Sequence, residues 1–211
     1  MAKRRLDAVI EVDSKTRFLD AAITMLDAGG EAALRIDELA KQVGVAKTSL
    51  YHHFGDREGL IVAAQAERYR RSILVGIDNI LAAVESCETK EEFLGIFPAL
   101  VDAWSGEDGK ARRRMRVEVL GSSVSRERLR SAIVEATHAV AEDVAVVIRA
   151  GQRQEWIAPE HDAYLFSSWL IGHMNTRYLA EITGDETRMQ SWNDYTKVMF
   201  HAMLTSQPLR P

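Results

Sequence analysis

The sequence predicts an all-α protein in which an N-terminal three-helix head, containing a helix-turn-helix, is followed by a larger helical body. Most segments place apolar residues at steps of three and four, which is the period of an amphipathic helix. Strand-like alternation is nearly absent, and the 211 residues include four prolines. A glycine turn between two short amphipathic stretches, within residues 34–60, indicates the helix-turn-helix.

The composition is that of an ordinary globular protein, with 46% hydrophobic residues, 27% charged residues and a formal net charge of -4. No apolar run approaches the length of a membrane span, and the basic start of the chain lacks the apolar core of a signal peptide. The single cysteine, Cys87, cannot form an internal disulfide and is either an inert thiol or a redox switch. We therefore expect a cytoplasmic protein that does not enter a membrane.

The first helix is predicted to begin near Asp13 or Ser14, which are good N-cap residues, after a loose arm over residues 1–12. Two adjacent glycines, Gly29 and Gly30, are predicted to end it. The buried face of this helix is predicted to carry Phe18, Ala21, Ala22, Met25 and Leu26.

Residues 34–60 predict helix, tight turn, helix and the start of a further helix. Gly44 stands where a left-handed backbone ends a helix without steric cost, and the next helix carries Leu50 and Phe54 on one face. From Leu39 to Gly55 the sequence has no acidic residue, although the chain as a whole is acidic. The second helix of a helix-turn-helix lies in the DNA major groove, so this segment predicts DNA binding. The apolar face of the first short helix consists of Ile36, Leu39, Ala40 and Val43.

The remaining sequence predicts a body over residues 61–211, attached to a head over residues 1–60. Asp56 is a plausible N-cap for a long fourth helix, and Pro98 predicts a kink or break in the helix after it. The clearest loop is 105–109, and Pro159 suits the first turn of a later helix. The predicted helices after the turn motif span approximately residues 56–84, 91–104, 110–120, 125–155, 159–182 and 185–207.

The stretch Gly-Val-Ala-Lys-Thr-Ser-Leu-Tyr-His-His-Phe, followed by Gly-Asp-Arg-Glu-Gly-Leu, resembles the signature of tetracycline-repressor-like (TetR) transcriptional regulators. The resemblance runs from about Phe18 to Leu60. It implies a recognition helix that begins just after the turn, with Lys47 and Thr48 facing the bases. It also implies phosphate contacts from basic and hydroxyl side chains around that helix. The DNA-binding residues that the resemblance implies are Arg35, Lys47, Thr48, Ser49, Tyr51, His52, His53 and Arg57.

Two positions depart from the family pattern. Arg35 replaces the usual Thr or Ser cap, which exchanges a capping hydroxyl for a cationic phosphate ligand. Asp37 stands where some members place a side chain that faces a base or a phosphate; it either caps its helix or accepts from cytosine N4. The basic residues at positions 3–5 are either a minor-groove arm or a disordered start.

The resemblance implies a homodimer held by the last two long helices, because one recognition helix reads only a few base pairs. Aromatic and methionine side chains are enriched there, as in interface cores, although each of them can instead fill the monomer core. The interface candidates are Phe166, Leu170, Met174, Tyr178, Trp192, Tyr195, Met199 and Met203.

The resemblance also implies a small-molecule pocket in the body. His138 and His173 interrupt apolar faces and are either ligand contacts or satisfied core histidines. Arg112, Arg113, Arg114 and Arg116 attract an anionic effector or form a solvated basic face. The pocket candidates are Phe93, Phe97, Trp104, Met115, Val119, His138, Trp169 and His173.

The predicted function is therefore a DNA-binding transcriptional regulator, a repressor released from double-stranded operator DNA by an unidentified small molecule. An activator or a ligand-independent DNA binder is the alternative. The sequence contains no metalloprotease, nucleophile-elbow or phosphate-loop motif, and its six histidines are scattered. We therefore expect no enzymatic activity, no metal and no cofactor.

Overall fold

The computed structural model describes residues 2–206 of the chain, with side chains from Ser14 to Ser206. Within this range the polypeptide is a succession of α-helices, as the sequence predicts. The helices are α1 (Ala2–Ala33), α2 (Ile36–Val43), α3 (Lys47–Phe54), α4 (Arg57–Leu74), α5 (Ile77–Ser86), α6 (Lys90–Ser105), α7 (Glu107–Ser123), α8 (Glu127–Arg153), α9 (Ala163–Thr176), α10 (Tyr178–Glu181) and α11 (Glu186–Thr205).

The chain divides into two compact units. The head comprises the chain up to Arg70 together with Ser122–Ala136, and the body comprises Arg71–Gly121 together with Thr137 onward. The boundary predicted at residue 60 therefore leaves out two parts of the head, the first turns of α4 beyond Leu60 and the segment that includes the start of α8. In the described residues, no helix is long and apolar enough to cross a membrane.

The head has its own hydrophobic core, built from α1 to α4. Phe18 and Phe54 pack edge to face with ring centroids 6.4 Å apart, which joins α1 to the end of α3. Burial of these large apolar side chains supplies most of the stabilisation expected for a unit of this size. The fully or almost fully buried members are Phe18, Ala22, Leu26, Leu34, Leu39, Val43, Leu50, Leu60, Ile61 and Ala64.

The predicted start of α1 is wrong, because the helix already runs from Ala2 and includes the residues expected to form a loose arm. The first 28 residues contain neither glycine nor proline, so no helix breaker precedes Gly29. At the predicted end, Gly29 and Gly30 leave the helical conformation, with φ 66° at Gly30, and form a kink after which α1 continues to Ala33. The side chains of the basic residues at positions 3–5 lie outside the described part.

The body departs from the predicted helix pattern at several places, and the helix expected to reach residue 182 ends at Thr176, before α10. The helix expected to run from Asp56 toward Val84 ends at Leu74, and Gly76 with φ 77° separates α4 from α5. The loop expected at 105–109 contracts to Gly106, because the acidic residues Glu107 and Asp108 favour the first turn of α7. The helix expected from Pro159 begins only after Asp162, whose carboxylate accepts from Leu165 N at 2.9 Å.

Helix α6 occupies the centre of the body. Thr89 and Glu92 form a capping box at its start, and the helix continues through Pro98, so the predicted break is absent from the described backbone there. Phe93 packs edge to face on Phe97 and touches Gly151 of α8, where an added Cβ would lie 2.6 Å from the Phe93 ring. The surrounding core residues are Val101, Ala145, Val147, Ile148, Ile157, Phe166, Leu170, Phe200 and Leu204.

Candidate nucleic-acid interface and body cavities

The turn between α2 and α3 depends on one glycine. Gly44 adopts the left-handed conformation (φ 70°, ψ 28°), and its N–H donates to the carbonyls of Ala40 and Lys41. The next residue, Val45, also donates its N–H to Ala40 O at 3.2 Å, which closes the C-terminus of α2. The predicted helix-turn-helix is therefore present with the predicted turn.

Helix α3 has a buried face and a solvent face. Leu50 and Phe54 are buried, as predicted, and fix the helix in the head. The opposite face exposes Lys47, Thr48 and His52, and Tyr51 is 46% exposed. This face carries hydroxyl, imidazole and ammonium groups and no carboxylate of its own, which suits contact with a polyanion.

An acidic side chain of α2 nonetheless reaches the start of α3. The carboxylate of Asp37 forms an ion pair with the ammonium of Lys47, although both side chains are at least half exposed. The N-cap position of α2 is Arg35, and no side-chain hydrogen bond caps that helix. Asp37 therefore lies beside the residue predicted to read a base, and not in the capping role that was its simpler interpretation.

The other predicted phosphate ligands around α3 lie in different environments. Ser49 is half-buried, and Arg35 is exposed with its Nε 3.8 Å from Glu38. His53 is half-buried and shares a 2.8 Å hydrogen bond with the Ser14 hydroxyl of α1. That contact engages Nε2 and holds the His53 ring against α1, so a phosphate contact that keeps it must use Nδ1.

Arg57 has an internal role that sequence reasoning missed. Its Nε donates to Leu34 O at 3.1 Å and its Nη2 donates to Glu31 O at 2.6 Å. These carbonyls end the segment before α2, so the guanidinium fastens the start of α4 to the entry of the helix-turn-helix. The predicted phosphate contact of Arg57 would have to use the N–H groups that remain, those of Nη1 and the second one of Nη2.

The start of α4 is held by a second set of contacts within the head. Asp56 caps the helix by accepting from Gly59 N at 2.5 Å, as predicted. The Arg128 guanidinium beside it, together with the Gly59 N–H, holds the pKa of the Asp56 carboxyl below its usual range. Arg126 bridges the carboxylates of Glu31 and Glu58 at 2.6 and 2.7 Å. These contacts therefore hold the start of α4, which directly follows the helix-turn-helix, in a fixed position within the head.

The body contains a small apolar space, the central cavity, of about 40 Å³. It lies between α5, α6, α8 and α9, and two predicted pocket residues, Phe97 and Trp104, line it together with Met174. Its other walls are aliphatic, contributed by Ile73, Ile77, Ile80, Leu100, Val144, Val147, Ile148, Leu170 and Ile171.

The other pocket candidates are divided among different places. Phe93 and Val119 are fully buried in packed surroundings, and Met115 is half-buried. His138 is exposed and stacks on Tyr164. Its place in an otherwise apolar sequence pattern therefore corresponds to a position on the protein surface. Trp169 and Trp192 both stack on His173, with ring centroids 5.1 and 6.1 Å away, and burial lowers the pKa of His173.

Two of the four arginines read as a solvated basic face are buried, and for them that interpretation is wrong. Arg113 is 1% exposed and binds Glu181 through Nε at 3.0 Å and Nη2 at 2.5 Å. Arg177 also pairs with Glu181, and its Nε donates to Asn193 at 2.8 Å. Arg116 is 2% exposed and donates to Asn175 at 2.8 Å. Arg113 and Arg116 are three residues apart on α7, so both lie on the face of the helix that points inward.

The Arg113, Arg177 and Glu181 side chains form a cluster, the arginine triad, beside a second space of about 20 Å³. The triad joins two guanidinium groups to one carboxylate, so it carries an excess of one positive charge. Burial and the neighbouring Arg113 lower the pKa of Arg177. Trp104 and Met174 line both this space and the central cavity. Sequence reasoning missed Arg177 and Glu181, whose signal is an i, i+4 charge pair at the end of an apolar segment.

The predicted interface residues divide between the core and the surface. Phe166 and Leu170 are buried in the body core, and Met203 and Met174 pack against it, so these four face inward. Tyr178 is half-buried on α10. Trp192, Tyr195 and Met199 line an open groove of about 720 Å³ between α10 and α11, the α10–α11 groove. Leu179, Tyr195 and Val198, which line it, are each more than 60% exposed.

Comparison with known proteins gives matches in sequence and in fold. The sequence model of the family described as "Bacterial regulatory proteins, tetR family" matches residues 18–64. The nucleoid occlusion factor SlmA of Marinomonas sp. (strain MWYL1) is 32% identical over an alignment of 132 residues, and the match covers 54% of this chain and 67% of that protein.

Two solved structures extend the likeness to the body. A putative TetR-family transcriptional regulator from Rhodococcus sp. matches with a TM-score of 0.65 at 18% identity, over 92% of this chain and all of that one. The regulator FadR of Bacillus subtilis, solved in complex with stearoyl-CoA, matches with a TM-score of 0.52 at 16% identity, over 92% of this chain and 99% of that one. At these identities the likeness shows a shared fold.

Proposed function

This chain belongs to the TetR family of DNA-binding transcriptional regulators, and we propose that it acts as a homodimeric repressor that a small molecule releases from its operator. The observation that carries the proposal is the solvent face of α3, with Lys47, Thr48 and Tyr51 exposed on a helix held by buried Leu50 and Phe54. Within this surface Lys47 and Thr48 contact bases, and Ser49, Tyr51, His52 and Arg35 contact phosphates.

The α10–α11 groove supports dimerisation. Large apolar side chains that stay more than 60% exposed are costly in water, and a cluster of them marks an interaction surface. A second copy of this chain offers the same apolar surface, as a two-fold interface requires. We therefore place Leu179, Trp192, Tyr195, Val198 and Met199 at the dimer interface.

The two body spaces support an effector that combines an apolar part with an anionic group. The central cavity supplies aliphatic walls, and the arginine triad supplies one uncompensated positive charge next to it. Trp104 and Met174 separate the two, so their rearrangement would join the spaces. The FadR structure of the same fold holds stearoyl-CoA, which has both an apolar chain and anionic groups.

Because the central cavity is small, binding of an effector requires a change in the conformation of the body. A space of about 40 Å³ holds a few water molecules at most, so an effector enters only when α5, α6, α8 and α9 separate. The effector consequently binds a widened body more tightly than the closed one, and this differential affinity is what shifts the population. In the widened state the two heads of the dimer no longer match the operator spacing.

A gel shift with DNA from upstream of the gene, combined with a thermal-shift screen, tests the proposal. We expect binding to a discrete DNA fragment, and we expect apolar carboxylates to raise the melting temperature and to dissociate that complex. The matched primary amides, which lack the anionic charge, should do neither. Failure to bind any fragment contradicts the DNA-binding role, and carboxylates that stabilise the protein without releasing DNA contradict the switch.

A further inference from the structure

Asp37 and Lys47 form an ion pair on the exposed side of the helix-turn-helix, and the edge of a base pair can present groups complementary to both. Asp37 stands in the first turn of α2, and Lys47 is the first residue of α3. Their side chains are 74% and 50% exposed. An exposed ion pair of this kind adds little to stability, so its placement where the first turns of α2 and α3 meet calls for another explanation.

We propose that Asp37 and Lys47 together read one G·C base pair, with Lys47 on the guanine and Asp37 on the cytosine of the same pair. The inference rests on α3 lying in the major groove. In that groove guanine presents the acceptors O6 and N7, and cytosine presents the N4–H donor. An ammonium donor beside a carboxylate acceptor is the complementary set.

The two side chains are also direct neighbours, as the two base edges are. Lys47 and Asp37 contact each other as an ion pair. Guanine O6 and cytosine N4 are joined by an N–H···O hydrogen bond of about 2.9 Å within the base pair. Hydrogen bonds from the two paired side chains to the two paired bases therefore close a ring of four contacts. Each base uses only the lone pair or N–H that Watson–Crick pairing leaves unused.

The Asp37–Lys47 pair disfavours the other three base pairs to different extents. An A·T pair places the adenine N6 donor opposite the Lys47 ammonium and the thymine O4 acceptor opposite the Asp37 carboxylate, so both contacts become unfavourable. The reversed C·G pair places the cytosine N4 donor opposite Lys47 and the guanine O6 acceptor opposite Asp37. A T·A pair keeps the order of acceptor and donor, but it offers Lys47 the single acceptor O4 where guanine offers both O6 and N7. Because the protein pair is neutral overall, this specificity adds no net attraction to phosphates, and non-specific binding gains nothing from it.

Selection from randomised duplex DNA tests the inference with the whole protein and matched variants. We expect the wild-type protein to select G·C at one position of each half-site. Asp37→Ala and Lys47→Ala should both lose the preference at that same position, by about 5- to 100-fold each. The controls Glu38→Ala and Lys41→Ala remove the same charges from neighbouring exposed positions of α2 and should keep it. The exchanged variant D37K/K47D should favour C·G.

A second measurement uses the wild-type protein and a modified operator. N4-methylcytosine at the selected position keeps base pairing but removes the N4–H that Asp37 would accept, so wild-type affinity should fall while Asp37→Ala is indifferent. Wild-type protein that selects DNA but shows unchanged preferences in D37A, and no effect of N4-methylation, overturns the inference and leaves the regulator role standing. Wild-type protein that selects no DNA overturns the proposed function.

Discussion

Arg113 and Glu181 form a two-bond ion pair between α7 and α10, with 1% and 9% of the two side chains exposed. Arg177 shares the Glu181 carboxylate. The body therefore buries two positive charges and one negative charge. A buried pair is weak evidence for stability as a whole, but removal of one partner leaves an uncompensated buried charge.

The first prediction follows from this arrangement. Glu181→Gln keeps the side-chain shape but leaves two buried guanidinium groups without a carboxylate, so the free energy of unfolding of the body should fall by about 3–5 kcal/mol. Glu118→Gln, at an exposed position of α7, is the control and should change it by less than about 0.5 kcal/mol. Urea denaturation followed by circular dichroism measures both. A loss under about 1 kcal/mol in E181Q would mean that the triad remains hydrated.

A second prediction separates the two roles of Arg57. Arg57→Lys keeps the positive charge but cannot reproduce both hydrogen bonds to Leu34 O and Glu31 O. We expect a loss of about 1.5–3 kcal/mol in head stability and weaker binding to all DNA sequences alike. Arg35→Lys, where the guanidinium is exposed beside Glu38, is the matched control. Wild-type stability in R57K, measured by thermal denaturation, would assign Arg57 to phosphate contact alone.

The third prediction concerns the dimer. Val198→Asp places a charge in the α10–α11 face, where Val198 is 68% exposed in the single chain, and burial of that charge should separate the subunits. Val124 is 74% exposed in the head, and Val124→Asp should leave the dimer intact. Light scattering distinguishes the two masses, and circular dichroism checks that both variants stay helical. Dimers of V198D would place the interface elsewhere.

The fourth prediction is a pH dependence. Burial lowers the pKa of His173 below its ordinary value near 6.5, so the unfolded chain binds the proton more readily than the folded one. Its contribution to stability is therefore complete above about pH 6.5 and is lost as the pH falls toward the lowered pKa of the folded state. His173→Gln removes this dependence. Unfolding free energies between pH 7.5 and 5 should fall more steeply for the wild type than for H173Q, and parallel curves would contradict the assignment.

The head could be predicted from the sequence because its signals are local. Gly44 fixes a turn by its backbone alone, and the spacing of Leu50 and Phe54 fixes which side of α3 is buried. The sequence does not predict the internal role of Arg57, because its hydrogen-bond partners are backbone carbonyls distant in sequence and no side-chain pattern indicates them. The Asp37–Lys47 pair likewise depends on the angle that the turn imposes.

The body was predicted less well because periodicity locates an apolar face without saying what covers it. Phe166 and Tyr195 both carry large apolar side chains on late helices, yet one is 8% exposed and the other 77%. The sequence gives no sign that Arg113 is buried, because its partner Glu181 is 68 residues away. Tertiary packing decides such positions, and residue type does not.

The most direct test of the account is the dependence of DNA affinity on half-site spacing. A two-fold dimer with one α3 helix in each half-site requires half-site centres about 34–36 Å apart, or a multiple of that distance. We predict two chains on each selected operator by sedimentation, and a large loss of affinity when five base pairs, about half a helical turn, are inserted between the half-sites. Equal affinity for both spacings, with one chain bound independently to each half-site, would contradict the account.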